Sequence, residues 1–304
     1  MSLQKIFMIY CMFIKKINTN LVLYNLITSQ EDLNFLTAEL SLSKLLAIDT
    51  EFRRTTKDNM KLALLQINDG HEIYLLDCVA LESTSDILKI FEDKQVVKIF
   101  HSCREDIEAL HSWTKGGILN IFDTQIANAF LGNELSISYQ SLVKDAFGIN
   151  LKKNETRSNW ISRPLSSSQL NYAAMDVEFL MEIYDEQVIN LKNSKKILWA
   201  REEVDILINN VMSSINLETE EDNFSIPLSK SDQNLFLEDF NKVIEQIAQQ
   251  NNINKTLLFS KKNQRDFLRD YFSIGIDKAM AIRGKWRTDL ILEPSLELFS
   301  NIKT

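Results

Sequence analysis

Leu45-Leu46-Ala47-Ile48-Asp49-Thr50-Glu51-Phe52-Arg53 begins as four consecutive apolar residues and continues into two acids separated by one threonine. A short apolar run of this kind reads as a buried strand. Residues i and i+2 of a strand share a face, so Asp49 and Glu51 bring two carboxylates together where the strand leaves an apolar interior. Like charges that close need a cation between them, or one carboxyl must keep its proton. A divalent metal is the economical answer, because hard Mg²⁺ favours carboxylate and water oxygens. The plainer alternative is a strand that exits into solvent with acids as surface decoration.

Outward from this stretch, Leu62 to Asn68 continues the β signal, Asn68-Asp69-Gly70 is a hairpin turn signal, and Glu72 to Leu76 returns. Ser83 to Phe91 then reads as a helix, Gln95 to His101 as a strand, Arg104 to His111 as a helix and Ile118 to Phe122 as a fifth strand. This alternation predicts an α/β fold with a five-stranded sheet. Beyond Asp123 the pattern is helical: Leu170, Ala173, Val177, Leu180 and Tyr184 form one stripe of a helix that continues close to Leu191. Another helix begins near Lys195. The stretch Leu217 to Pro227 holds Glu218, Glu220, Glu221 and Asp222 and reads as a solvated linker. Short amphipathic helices follow. The expected divisions are an apolar extension at 1–20, an α/β domain at 21–193, a connecting helix and acidic linker at 194–227, and a small all-α helical bundle at 228–304.

The 304 residues are 45% hydrophobic and 25% charged, an ordinary soluble globular composition. Only 7 Gly and 3 Pro occur, which lowers the expectation of a glycine-loop nucleotide site or a many-turned β-sandwich and raises that of a helix-rich fold. Cys11, Cys78 and Cys103 form no CxxC pair, so neither a disulfide framework nor a thiolate zinc site is expected, and a reducing cytoplasm fits. The apolar run Ile6 to Ile14, flanked by Lys5, Lys15 and Lys16, is about half the length that spans a bilayer. It reads as an extension packed on the domain or a segment wrongly included at the start, with a membrane-proximal role as the alternative. No membrane association and no obligate protein partner are otherwise expected.

A net charge of −8 argues against a uniformly basic nucleic-acid surface. The charge is uneven, however. Residues 225–304 carry 12 Lys+Arg against 10 Asp+Glu, so the acidity belongs to the α/β part. Between Lys255 and Arg287 nine basic residues face three acidic ones. That stretch is a nucleic-acid contact or simply a solvated helical face.

Two further features bear on the acidic pair. Asp106 opens the helix after the Gln95–His101 strand, and Tyr172 and Asp176 lie four apart, hence on one helical face. If that helix packs on the sheet with Tyr172 and Asp176 at its edge, four carboxylates and a phenol from separate segments could converge. The stretches Asp49-Thr50-Glu51-Phe52-Arg53, Phe100 to Glu108, Asp123-Thr124-Gln125, and Arg157 to Pro164 leading to Tyr172-Ala173-Ala174-Met175-Asp176-Val177 together resemble bacterial ribonuclease D. All three exonuclease motifs of the DEDD superfamily occur in order within roughly residues 25 to 190.

The resemblance implies an RNase H-like mixed sheet flanked by helices and metal-dependent 3′-to-5′ hydrolysis that releases nucleoside 5′-monophosphates. It implies that Asp49, Glu51, Asp106 and Asp176 are the metal-binding acids, that two divalent ions, Mg²⁺ or Mn²⁺, are the cofactors, and that Tyr172 marks the tyrosine subtype and orients the attacking water. The partner implied is RNA with a free 3′ end, such as a tRNA precursor. For substrate contacts, Phe52 suits stacking on the terminal base or core packing, and Arg157 and Arg163 around Trp160 suit phosphate and base contacts, with Trp160 alternatively a packing anchor. His101, Gln66 and Asp123 are assigned to support of the fold. Residues 228–304, with Leu257 to Lys262, are similar to the helicase-and-RNase-D C-terminal module, which casts Lys261, Lys262 and Arg265 as nucleic-acid contacts. A DNA exonuclease of the same superfamily and a non-catalytic RNA-binding adaptor are the competing readings.

Overall fold

The computed structural model describes residues 22–56, 59–152, 154–216 and 224–300. The apolar run Ile6 to Ile14 and the acidic stretch Glu218 to Asp222 lie outside them. The strands are β1 (Asn25–Ile27), β2 (Leu45–Thr56), β3 (Asn59–Asn68), β4 (Ile73–Asp77), β5 (Val97–Phe100) and β6 (Ile121–Asp123). They form one sheet in the order β1-β4-β3-β2-β5-β6. β3 runs antiparallel to β2 and β4, whereas β5 is parallel to β2 and β1 is parallel to β4. The sheet thus has six strands where the sequence pattern predicts five. The addition is β1, a three-residue edge strand with two exposed positions, too short to show a period of two.

The helices are α1 (Gln30–Leu40), α2 (Ser85–Glu92), α3 (Arg104–Thr114), α4 (Thr124–Phe130), α5 (Tyr139–Phe147), α6 (Ser167–Glu178), α7 (Leu180–Asn193), α8 (Ile197–Asn216), α9 (Lys230–Gln250), α10 (Lys255–Leu258), α11 (Lys261–Ile274), α12 (Ile276–Ala281) and α13 (Lys285–Ser300). The chain divides into two compact units. One comprises the residues up to Phe122 together with Ser138–Asp185, and the other comprises Asp123–Ile137 and the residues from Glu186 onward.

In the first unit α3 packs on β2 and β3, and α6 packs on β2, β3 and β4. Strand parity places them on opposite faces. Thr50 of β2 hydrogen-bonds Asp106 of α3, whereas Asn68, on the same side of β3 as the Asp49–Gln66 pair, donates to the Val177 carbonyl of α6 at 3.1 Å. Leu46, Ala47 and Ile48 are fully buried between these layers. The core therefore ends where the two acids of β2 begin.

The apolar stripe from Leu170 to Tyr184 predicts one uninterrupted helix. The structure divides it at Phe179, whose φ of −108° and ψ of 2° leave the helical range. A contact from a distant segment accompanies the break: the Tyr139 hydroxyl donates to the Met175 carbonyl at 3.1 Å and accepts from the Phe179 amide at 3.1 Å. It stands where the helix's own Phe179-to-Met175 bond would close, and a side chain inserted into the ladder is a recognised cause of helix bending.

The helical unit is built on Phe236, Phe240, Phe259, Phe267 and Phe299, with successive ring centroids 5.4–5.9 Å apart. Beside this cluster Arg287 is 5% exposed. Its guanidinium donates to the Leu258, Leu257 and Arg283 carbonyls and forms a two-pronged pair with Glu203. Breaking such a pair strands a charge in the interior. Glu203→Ala is expected to lower the unfolding free energy by about 3 kcal/mol in urea titration; a loss under about 1 kcal/mol would contradict this account.

Candidate active site

Asp49 and Glu51 project from β2 as it leaves the core, and Asp176 comes from the last turn of α6; one carboxylate oxygen from each lies within 4.8 Å of the others. Asp106 approaches from the first turn of α3 on the other face, held by the Thr50 hydroxyl at 2.5 Å. Its charge acts on both Asp49 and Glu51. Of the four acids expected to converge, Asp49, Glu51 and Asp176 thus lie together, and Asp106 is tied beside them through Thr50. Thr50, which the motif shows only as the spacer between two acids, ties α3 to β2.

Burial pushes the Asp49 carboxyl well above its usual range, and the charges of Asp106, Asp176 and Glu51 push it further. Burial, then Asp176 and Asp106, raise Glu51 to about 9. Burial raises Asp176 to about 7 against the opposing hydrogen bond from Tyr172. Without a cation among them, these carboxyls hold their protons more strongly than free acids do. Oxygen-only donors that repel one another at a half-buried position suit a hard divalent ion, which supplies the charge the cluster lacks.

A β-bulge sits beside the acids. Glu51 pairs with Leu64 and Phe52 with Leu62, so Ala63 is the extra residue of β3. Its carbonyl accepts from Arg163 Nη2 at 2.8 Å. The Arg163 Nε and Nη2 bind Asp77 at 2.6 Å each, and Nη1 reaches the Trp160 and Ser162 carbonyls at 2.7 and 3.0 Å. All five donors are taken, so the expected phosphate contact at Arg163 is corrected: this arginine ties the segment before α6 to the sheet. Trp160 is 3% exposed with its ring 6.1 Å from that of Tyr172, which is the packing-anchor alternative. Arg157 is exposed, and Phe52 is half-buried just past the bulge.

The Tyr172 hydroxyl donates to Asp176 and accepts from Thr156, and burial raises the phenol far above its ordinary range. The neighbouring Glu155 accepts from the hydroxyls of Ser158 and Ser168, which hold its carboxyl below the usual value and tie this loop to the start of α6. Neither Glu155 nor Thr156 carries a motif signal; their partners become visible only in three dimensions. Gln66, directly opposite Asp49, is fully buried, and neither amide atom has a hydrogen-bond partner among the described residues. Asp123 accepts from the Gln125 and Ile126 amides as the cap of α4, and the His101 ring lies 5.9 Å from that of Tyr139.

Lys261, Lys262 and Arg265 lie exposed at the start of α11. Of the other basic residues between Lys255 and Arg287, Lys255, Arg269, Arg283, Lys285 and Arg287 pair with acids, including Glu203 and Glu245 from outside the stretch. The local positive charge read from the sequence is reduced accordingly.

Because Glu51 and Asp176 have raised folded-state values, their contribution to stability is fully present below their ordinary pKa and is lost as pH rises through about 7 and about 9. In EDTA the thermal midpoint should fall from about pH 5 to about pH 9, less steeply in Glu51→Gln, and Mg²⁺ or Mn²⁺ should raise it most at the alkaline end. A midpoint that rises with pH in EDTA would refute this electrostatic picture.

Residues 24–190 match the family model described as 3′-5′ exonuclease. Among curated proteins the chain is 32% identical over 205 residues to ribonuclease D of a Shewanella species, covering 67% of this chain and 53% of that one. It is 37% identical over 166 residues to ribonuclease D of Pseudomonas paraeruginosa, covering 55% and 44%. The chain therefore spans about half the length of these relatives. Among solved structures it is similar to Escherichia coli RNase D, with a TM-score of 0.62 and 23% identity over 90% of this chain and 76% of the other. A protein from Bifidobacterium adolescentis gives a TM-score of 0.73 at 18% identity over 91% and 97%. At these identities the structural matches establish the fold, and the family match covers the sheet, the four acids and Tyr172: the chain belongs to the 3′-5′ exonuclease family, whose DEDD-type chemistry uses divalent metal.

Proposed function

We propose that this protein is a 3′-5′ exoribonuclease of the ribonuclease D type that trims RNA 3′ ends, with tRNA precursors as the natural class, in the cytoplasm. The observation that carries the reading is the convergence of Asp49, Glu51 and Asp176 within 4.8 Å, with Asp106 and Tyr172 against them. Similarity to curated ribonucleases D supports RNA over DNA. Among the described residues no helix is long and apolar enough to cross a membrane.

In this reading Asp49, Glu51, Asp106 and Asp176 would hold two divalent ions, Mg²⁺ or Mn²⁺, which when bound would acidify water and stabilise charge developing in the displacement. Tyr172, fixed by Thr156 and Asp176, orients the attacking water toward the terminal phosphorus. The water oxygen forms a new bond to phosphorus as the P–O bond to the 3′ oxygen of the preceding nucleotide breaks; that oxygen takes up a proton, leaving a shortened chain with a 3′ hydroxyl, and a nucleoside 5′-monophosphate leaves. Phe52 contacts the terminal base, and Arg157 offers its exposed guanidinium to a phosphate.

Lys261, Lys262 and Arg265 extend the proposal to residues 228–304, read here as a helicase-and-RNase-D C-terminal module. They form no ion pair among the described residues. They also stand at the positive end of the α11 dipole, where no acid occupies the first turn. Such an uncompensated cluster favours a polyanion.

Matched RNA and DNA oligonucleotides labelled at the 5′ end, given with Mg²⁺, Mn²⁺ or EDTA, test the activity. A single-nucleotide ladder on RNA that disappears with EDTA is expected; cleavage confined to DNA, or binding without cleavage, would overturn the proposal. Asp176→Asn should lower kcat by more than about a thousandfold while leaving the circular dichroism spectrum intact. Replacing Lys261, Lys262 and Arg265 by alanine should reduce the salt slope of RNA binding by about 2, at roughly 0.7 per lost single-strand contact. An unchanged slope would remove these residues from the interface.

A further inference from the structure

The break between α6 and α7 falls three residues after Asp176. In an uninterrupted helix the Met175 carbonyl would accept from Phe179, and the Val177 carbonyl would accept from a residue of the next turn. Neither carbonyl is left to the helix alone. Met175 receives the Tyr139 hydroxyl from α5 at 3.1 Å, and Val177 receives the Asn68 side-chain amide from β3 at 3.1 Å. These two residues flank Asp176 directly in sequence. The clamping groups are themselves fixed: Tyr139 is buried and also accepts the Phe179 amide, and the Asn68 carbonyl oxygen accepts from the Gly70 amide at 2.8 Å.

We propose that Tyr139 and Asn68 are positioning residues for the active site, which hold the carbonyls of Met175 and Val177, the residues before and after Asp176, and so set where its carboxylate meets Asp49 and Glu51. The inference rests on the reading of Asp176 as a metal-holding acid. A helix end would otherwise fray, because its last carbonyls have no intrahelical donors. Asp176 stands in this weakest turn, yet one of its carboxylate oxygens is held within 4.8 Å of those of Asp49 and Glu51. Side-chain donors from α5 and β3 transfer the rigidity of the surrounding layers to that turn. Loss of a group that orients a metal ligand typically costs about 10- to 100-fold in metal affinity or activity.

The decisive measurement is Mn²⁺ affinity by calorimetry on the full chain, alongside kcat and KM on an RNA oligonucleotide. Tyr139→Phe removes one oxygen and retains the ring. It should weaken Mn²⁺ binding about tenfold and lower kcat by a similar factor with KM little changed, and Asn68→Ala should do the same. Val143→Ala is the control for a purely structural loss: this side chain is buried in the same α5 but belongs to neither clamp, so it should lower the thermal midpoint and leave Mn²⁺ affinity as in the parent. Wild-type Mn²⁺ affinity in both Tyr139→Phe and Asn68→Ala, or an equal loss in Val143→Ala, would overturn the proposal. A parent protein that binds Mn²⁺ but does not cleave RNA would refute the exoribonuclease reading alone, and the affinity comparison would still decide the clamp.

Discussion

Mutual repulsion among half-buried carboxylates is the constraint around which the sheet unit is arranged. Asp49, Glu51 and Asp176 are held closer than free acids would remain, with Asp106 acting on the cluster from the opposite face of the sheet. At effective dielectric values near 20, two unit charges 4 Å apart repel by about 4 kcal/mol, comparable to a sizeable part of a domain's net stability. The surrounding structure supplies the opposing rigidity: β2 is fixed between an antiparallel and a parallel neighbour, Thr50 holds Asp106, and the last turn of α6 is fastened from two sides. The stability invested there is recovered when a cation neutralises the cluster, which couples metal binding to the order of the site.

The parts of this arrangement legible in the sequence share a physical property: they are local. Two acids two apart on a strand must share a face, and Tyr172 and Asp176 four apart on a helix must be neighbours. Backbone periodicity suffices for both deductions. The α/β alternation was legible for the same reason, since the buried strands are apolar runs bounded by turn residues. The edge strand Asn25–Ile27 was not, because three residues with two exposed carry no period, and its place depends on pairing with Tyr74, Leu75 and Leu76.

Long-range partners account for the departures. Arg163 beside Trp160 suits a phosphate when read from its neighbours, but Asp77, 86 residues earlier, and the bulged Ala63 take its donors. The basic run from Lys255 to Arg287 likewise counts charges that are close in sequence, while Arg287 is buried against Glu203, 84 residues away. The apolar stripe through Leu180 and Tyr184 continues across the helix break. Hydrophobic periodicity reports which side of a helix is buried and is insensitive to a hydroxyl that arrives from α5 to bridge two backbone groups.

This difference between local and long-range information separates the kinds of residue at the site. Groups expected to touch metal or substrate lie on short motifs, because the backbone alone can place two of them on one face. Groups that hold them still, such as Thr50, Thr156, Tyr139 and Asn68, come from whichever element lies alongside, and their immediate sequence does not reveal which acid or carbonyl each will hold. Fixing an acid against its neighbours' repulsion requires bonds from elements that do not move with it, since a donor on the same helical turn would be displaced together with the acid. The support of a crowded acidic site is therefore necessarily non-local, and Met175 and Val177, each bound from a different layer on either side of Asp176, show that requirement met within one turn of helix.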